Sequence, residues 1–338
     1  MKKNAKKLWI GFGAGAAGAA AFAAASYSFT KRLVRIALDR EAPPNSGKAQ
    51  RRLSGENKNG ELFERIKTAA EKLENSEYET IEITARDGEC LIGHFRRCEN
   101  AKRIIIAMHG WRSSWSTDFG AISDFWYSSG CSVLYAEQRG QNNSGGDYMG
   151  FGMIERYDCL DWINRINETE GKNMPVYLAG ISMGAATVLM TAGLELPRNV
   201  CGIMADCGYT SAHDIWKHVV KNNLHMLYNG VIGAVANEIC RRKINMTAKD
   251  CSTVEAMQNN SIPVLFIHGG DDHFVPIEMT YENYKACAAP KRLLVVPGAE
   301  HCMSYLTEPD KYEEITIKFW QECDNKTADN NEESEADA

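Results

Sequence analysis

Two stretches of this chain, "RIIIAMHG" ending at Gly110 and "PVLFIHGG" ending at Gly270, are apolar at nearly every position up to the glycine turn. A strand with one wet face alternates apolar and polar side chains, so a continuous apolar run fits a strand covered on both faces. Similar runs predict strands at Thr80–Thr84, Cys90–Arg96, Arg103–Met108, Ser132–Glu137, Val176–Ile181, Val200–Ala205, Val264–His268 and Arg292–Val296. Helical periodicity falls between them, at Met153–Ile166, Met183–Leu194, Ile277–Cys287 and Tyr312–Cys323. The alternation predicts an α/β fold, a mostly parallel eight-stranded sheet flanked by helices. With 338 residues, 44% of them hydrophobic, the chain has enough apolar surface to bury the core such a sheet needs.

Composition then removes some function classes. A formal charge of −6, with the basic residues scattered, gives no support for a nucleic-acid partner. Eleven cysteines are odd in number and form no CxxC pair, so neither a disulfide framework nor a zinc site is suggested; most read as small core thiols.

The ends differ from the middle. Leu8 to Phe29 is 22 residues without a charge, flanked by lysines and arginines, and long enough as a helix for a bilayer core. Residues 1–35 are expected as a membrane anchor that would associate the protein with a membrane, its side open. Thirteen of those 22 residues are Ala or Gly, so a cleaved signal segment is the competing reading. Residues 36–77 read as a polar linker followed by a helix over Glu61–Leu73, and residues 324–338, acidic and without large apolar side chains, read as a disordered tail.

The most specific chemistry lies in "YLAGISMGAATVLM", residues 177–190, where a buried strand gives way to a helix through Gly180-Ile181-Ser182-Met183-Gly184. A serine in so tight a turn has strained backbone angles, and its flanking glycines provide room for it. Hydrolysis by a serine needs a base to take its proton, an acid to orient that base and donors for the developing oxyanion. In a parallel sheet such groups belong on loops leaving the carboxyl ends of strands. His301, in "VVPGAEHCMSY" after the last strand, is the best placed base. His94 falls inside a strand, and His213, His218 and His225 lie in a helical stretch. For the acid, Asp271 and Asp272 leave the preceding strand together and Asp206 ends an earlier one, and spacing alone does not choose.

GISMG, then HGGDDHFVP, then GAEH, resembles the α/β-hydrolase superfamily in motif and order over about residues 78 to 323. The resemblance implies a serine hydrolase with Ser182 as nucleophile, Asp272 as acid and His301 as base. "MHGWRSSW" is similar to the turn that carries one oxyanion donor in these enzymes, which implies the backbone N–H groups of Trp111 and Met183 for that task. "AEQRGQNNSGG" resembles a D-x-R-G-x-x-x-S-x-G stretch of bacterial hydrolases related to the prolyl-oligopeptidase and BEM46-like branches, with Glu137 where that pattern has Asp.

The family position between the sixth and seventh strands, here about 209–260, implies a small helical cap. Tyr209 and Trp216 are expected at the substrate, Met226 and Leu227 along an acyl pocket, and Trp115 with Trp111 as an aromatic wall. The expected function is hydrolysis of carboxylic esters through an acyl-enzyme, on a small acyl-ester or peptide-like substrate, with no metal or organic cofactor required. A peptidase or other amide hydrolase is the alternative within the fold, and a non-catalytic binding protein the alternative outside it.

Overall fold

A computed structural model of the protein describes residues 23–44 and 60–336. Its centre is one eight-stranded sheet of β1 (Glu79–Thr84), β2 (Cys90–Arg96), β3 (Arg103–Met108), β4 (Cys131–Ala136), β5 (Val176–Ile181), β6 (Val200–Asp206), β7 (Val264–Gly269) and β8 (Lys291–Val296). The spatial order is β1-β2-β4-β3-β5-β6-β7-β8. β2 is antiparallel to both its neighbours, and every pairing from β4 to β8 is parallel. Each strand lies within one residue at either end of its predicted span.

The unbroken apolar runs have the expected cause. Ile104, Ile106 and Met108 of β3 face one layer, with Trp162 and Ile163 of helix Glu155–Glu170 and Val188 and Leu189 of helix Met183–Thr191. Ile105 and Ala107 face the other, with Trp115, Phe119 and Trp126 of two short helices and Phe319 and Trp320 of the last one. Both sets are buried, so both faces of the strand are dry.

A third apolar cluster lies beyond the carboxyl ends of the strands. Between β6 and β7 come helix Ala212–His218, a π-helical turn Val219–Asn223, and helices Gly230–Ile244 and Thr253–Gln258. Ile215, Ala236 and Ile239 of this segment pack with Phe151, Met183 and Tyr209, and also with Val34 and Leu38 near the start of the chain.

That last contact corrects the reading of the N-terminal region. Residues 23–38 form one helix that crosses the expected boundary at residue 35, and Val34, Ile36 and Leu38 are buried in the domain. Asp39 bridges to Tyr148 in antiparallel fashion, so this part of the expected linker is packed. Among the described residues no helix is long and apolar enough to cross a membrane, and the expected single membrane-spanning segment, with the localisation it implied, does not stand. The physical reason is that the described end of the segment, residues 23–29, runs on into a helix that packs Val34, Ile36 and Leu38 into the protein and carries Lys31, Arg32 and Arg35 on its last turns. Residues 8–22 lie outside the described residues.

At the other end, helix Pro309–Ala336 continues into the stretch whose composition predicts disorder. Its packed part is anchored by Asp324, which accepts from Arg103 (2.7 Å) and from the Tyr177 hydroxyl (2.5 Å). A helix already nucleated by tertiary packing propagates without apolar contacts of its own.

Candidate active site

Ser182 stands between β5 and helix Met183–Thr191 with φ 54° and ψ −113°, a region costing a non-glycine residue about 1–3 kcal/mol. The glycines on either side permit the turn. A Cβ at Gly180 would lie 2.2 Å from the Gly184 carbonyl oxygen, and one at Gly184 would lie 1.8 Å from that of Met108. Strand, elbow and helix can approach this closely only without side chains at those two positions.

Two loops, from β7 and β8 on the far side of β6, reach the serine. His301, after β8, places Nε2 2.9 Å from Ser182 Oγ and Nδ1 2.6 Å from Asp272 Oδ2. Asp272, after β7, is buried, and its Oδ1 accepts the backbone N–H groups of Phe274 and Val275, each at 2.9 Å. His268, at the end of β7, shares Nε2 between Val275 O at 2.9 Å and Asp272 Oδ2 at 3.3 Å, while Thr280 Oγ1 holds its Nδ1 at 2.7 Å. His268 fixes the acid rather than serving as a base, a role no local sequence signal shows.

Of the other acids, Asp271 is exposed, and Asp206 receives Ser304 Oγ at 3.0 Å. Burial pushes the Asp206 carboxyl up to about 6. For Asp272 burial acts in the same direction and is the largest influence, but the His301 charge and hydrogen bonds from His268 and His301 outweigh it and hold the carboxyl well below the usual carboxylate range. Burial disfavours the His301 imidazolium; Cys207 and Asp272 oppose it and raise the ring well above an ordinary histidine. Because burial drives the Cys207 thiol itself far up, that thiol stays neutral and the carboxylate is the charge that acts.

The turn after β3 closes over the serine. A Cβ on Gly110 would lie 3.5 Å from Ser182 Cβ, and the Gly110 N–H donates to Asp118 Oδ2 at 2.6 Å. The buried His109 ring sits between Gly110 O (2.8 Å from Nδ1) and the Gln138 N–H (3.1 Å from Nε2), a pattern that fits the neutral ring. Burial lowers its pKa accordingly. Trp111 follows in this turn, and Met183 opens the helix after the nucleophile, where backbone N–H groups have no acceptor within the helix. Both residues line the same cavity as Ser182.

That cavity, about 800 Å³ including its mouth, carries no charged side chain on its wall among the described residues. Tyr209 and Trp216 line it. Trp115 does not: it is buried in the core, stacked on His94 with ring centroids 4.3 Å apart. Ser114 caps the short helix Trp115–Phe119, whose first side chain thereby meets the sheet and not the cavity. Met226 and Leu227 also lie off the wall, Leu227 at 86% exposure. Sequence reading missed Phe151, whose φ of 54° is unusual for a bulky residue and whose ring meets Trp216 edge-on at 5.2 Å. Its flanking glycines in "MGFGM" are the one signal that marked it.

Glu137, where the resembling pattern has Asp, reaches His94 Nε2 at 2.8 Å and accepts the Asn143 N–H at 2.6 Å. The longer side chain thus finds its own partners in the loop. All eleven cysteines are free. Among the described residues, Cys207, His301 and Cys302 offer ligand atoms within 4.8 Å of one another. Both imidazole nitrogens are engaged by Asp272 and Ser182, however, and the thiols touch each other at 3.7 Å. Cys302, drawn down by Cys207 but pushed up by burial, stands at about 11, so the pair is protonated at neutral pH.

This sheet order, with a serine elbow after β5, an acid after β7 and a histidine after β8, is the α/β-hydrolase fold. Residues 99–241 match the family described as serine aminopeptidase, S33. The chain is 24% identical over 198 residues to the uncharacterised protein YqkD of Bacillus subtilis, a match covering 59% of this chain and 65% of that one. It is 25% identical over 249 residues to the uncharacterised protein YfhR of Escherichia coli K12, covering 71% and 80%. Among solved structures, the Pyrococcus furiosus esterase Pf2001 superposes with a TM-score of 0.61 at 19% identity, covering 75% of this chain and 93% of the esterase.

Proposed function

We propose that the protein is a serine hydrolase that cleaves carboxylic esters through an acyl-enzyme. The observation that carries this reading is the continuous hydrogen-bonded line from Ser182 Oγ through His301 to Asp272, opening on an apolar cavity. His301 Nε2 takes the proton of Ser182 as the hydroxyl attacks the acyl carbon. Asp272 stabilises the imidazolium, and the N–H groups of Trp111 and Met183 receive the oxyanion. His301 returns the proton to the departing alcohol, then takes one from the water that attacks the acyl-enzyme and gives it to Ser182 Oγ as the acyl–oxygen bond breaks and the carboxylic acid leaves.

The similarity to serine aminopeptidases favours amide cleavage as a second reading. An aminopeptidase must hold a substrate ammonium, and among the described residues the cavity wall has no carboxylate to do so, which supports reading ester cleavage first. Comparing p-nitrophenyl esters with aminoacyl arylamides decides the order: equal or greater efficiency on the arylamides reverses it. A fluorophosphonate should attach at Ser182, and Ser182→Ala should lower ester turnover by about 10⁴-fold or more with the fold intact. Unchanged turnover in that variant excludes this nucleophile, and inertness of the folded wild type to the probe favours a binding protein.

A further inference from the structure

Thr30, Leu33, Val34 and Ala37 all line the cavity that holds Ser182. Their spacing is that of a single helix face, so the helix of residues 23–38 presents one stripe to the cavity. The opposite walls come from the segment between β6 and β7, through residues such as Ile215, Trp216 and Val219.

The end of that helix is fastened to the turn that bears Trp111. The Trp111 indole Nε1 donates to Ala37 O at 2.9 Å, and the Arg112 guanidinium donates to Ile36 O at 2.9 Å and Arg40 O at 3.0 Å. These carbonyls belong to the last turn of the helix and the residues just beyond it, where intrahelical donors run out. Met149 N–H to Leu38 O at 2.7 Å and Lys243 Nζ to Asp39 at 2.8 Å complete the attachment.

We infer that the substrate carries an extended apolar acyl chain and that the helix of residues 23–38 is the wall that sets its length. The inference rests on the ester-hydrolase reading. The two cavities near the relay differ in a way that assigns the acyl group. The polar cleft lined by Asp272, His273, Asn222 and Glu278 includes neither Ser182 nor His301, so an acyl group bonded to Ser182 Oγ is not seated there. The apolar cavity, which holds Trp111 and Met183 with Ser182, is left for the acyl chain. Each methylene that leaves water for such a wall is worth about fourfold in kcat/KM.

The test compares full-length wild type with Ala37→Trp, which fills the cavity, and Leu33→Ala, which enlarges it. The readout is the ratio of kcat/KM for p-nitrophenyl octanoate to that for the acetate, alongside a series in which the alkyl chain is moved to the alcohol. In the wild type the ratio should exceed one, and lengthening the alcohol instead should bring no such gain. Ala37→Trp should lower the ratio at least tenfold, and Leu33→Ala should move the optimum to longer chains. A gain on the alcohol series alone overturns the acyl assignment, and a chain-length profile identical in all three proteins overturns the wall. If the wild type neither takes a fluorophosphonate nor hydrolyses any ester, the underlying hydrolase reading fails instead.

Discussion

The two sides of Ser182 are built on opposite physical principles. On one side every polar atom of the relay has a partner: Asp272 accepts two backbone amides, His268 and His301, and His301 spends both nitrogens. On the other side the wall is apolar and is assembled from segments far apart in the chain, residues 30–37, 151 and 209–236. A buried polar relay demands nearly complete satisfaction, because an unpaired group in a low dielectric is expensive. An apolar wall demands only shape, so many sequences can supply it. The relay should therefore fail steeply when one atom changes, and the wall should fail gradually.

The steepest contrast is at the acid. Asp272→Asn keeps the volume but removes the charge that stabilises the imidazolium, and kcat on a short ester should fall by about 10⁴-fold. Asp271→Asn, one residue away but facing water, should stay within about twofold. Comparable losses in the two variants would mean that the pairing of His301 with Asp272 is not what turnover depends on.

A smaller, graded effect comes from pH. Asp272 favours the charged ring and so raises the His301 pKa, while the neutral ring is the form that accepts the serine proton. Activity is thus lost as pH falls through the raised value. The kcat/KM profile should rise with pH along a limb whose midpoint lies above the ordinary histidine value of about 6.5, falling about tenfold per unit below it. In Asp272→Asn the residual limb should move toward lower pH. A limb at or below the ordinary value in the wild type would show that burial outweighs the carboxylate.

These two sides were also unequally legible in the sequence. Strands dry on both faces announce themselves by composition, and Ser182, Asp272 and His301 sit where such strands end, so topology alone brings their loops together. The choice of Asp272 over Asp271 needed the family pattern, since adjacent loop residues differ only in the direction their side chains take. The apolar wall left no such mark. The wall residues Thr30, Leu33, Val34 and Ala37 lie among Lys31, Arg32 and Arg35, so in the sequence they read as the basic flank of an apolar run and not as the lining of a cavity. Trp115 shows the converse error, an aromatic near a strand end that a capped turn directs into the core. Leu227 shows another, an apolar side chain in the right segment that faces water.

The smallest predicted effect probes how far the two sides are joined. Arg112 is part of the turn that carries Trp111, yet its guanidinium serves the carbonyls of Ile36 and Arg40, so it ties the apolar wall to the polar machinery. Arg112→Gln removes the planar fork of donors and leaves half-buried carbonyls short of partners, a loss of about 1–3 kcal/mol in local stability. The expected result is faster amide hydrogen exchange across residues 30–40 and a few-fold drop in kcat/KM for long-chain esters. The pH midpoint should not move, because Arg112 makes no contact with His301 or Asp272 among the described residues. A shifted midpoint would mean that loosening the wall reaches the relay and that the two sides act as one unit. Unchanged exchange at residues 30–40 would mean that the helix is held by its apolar face alone.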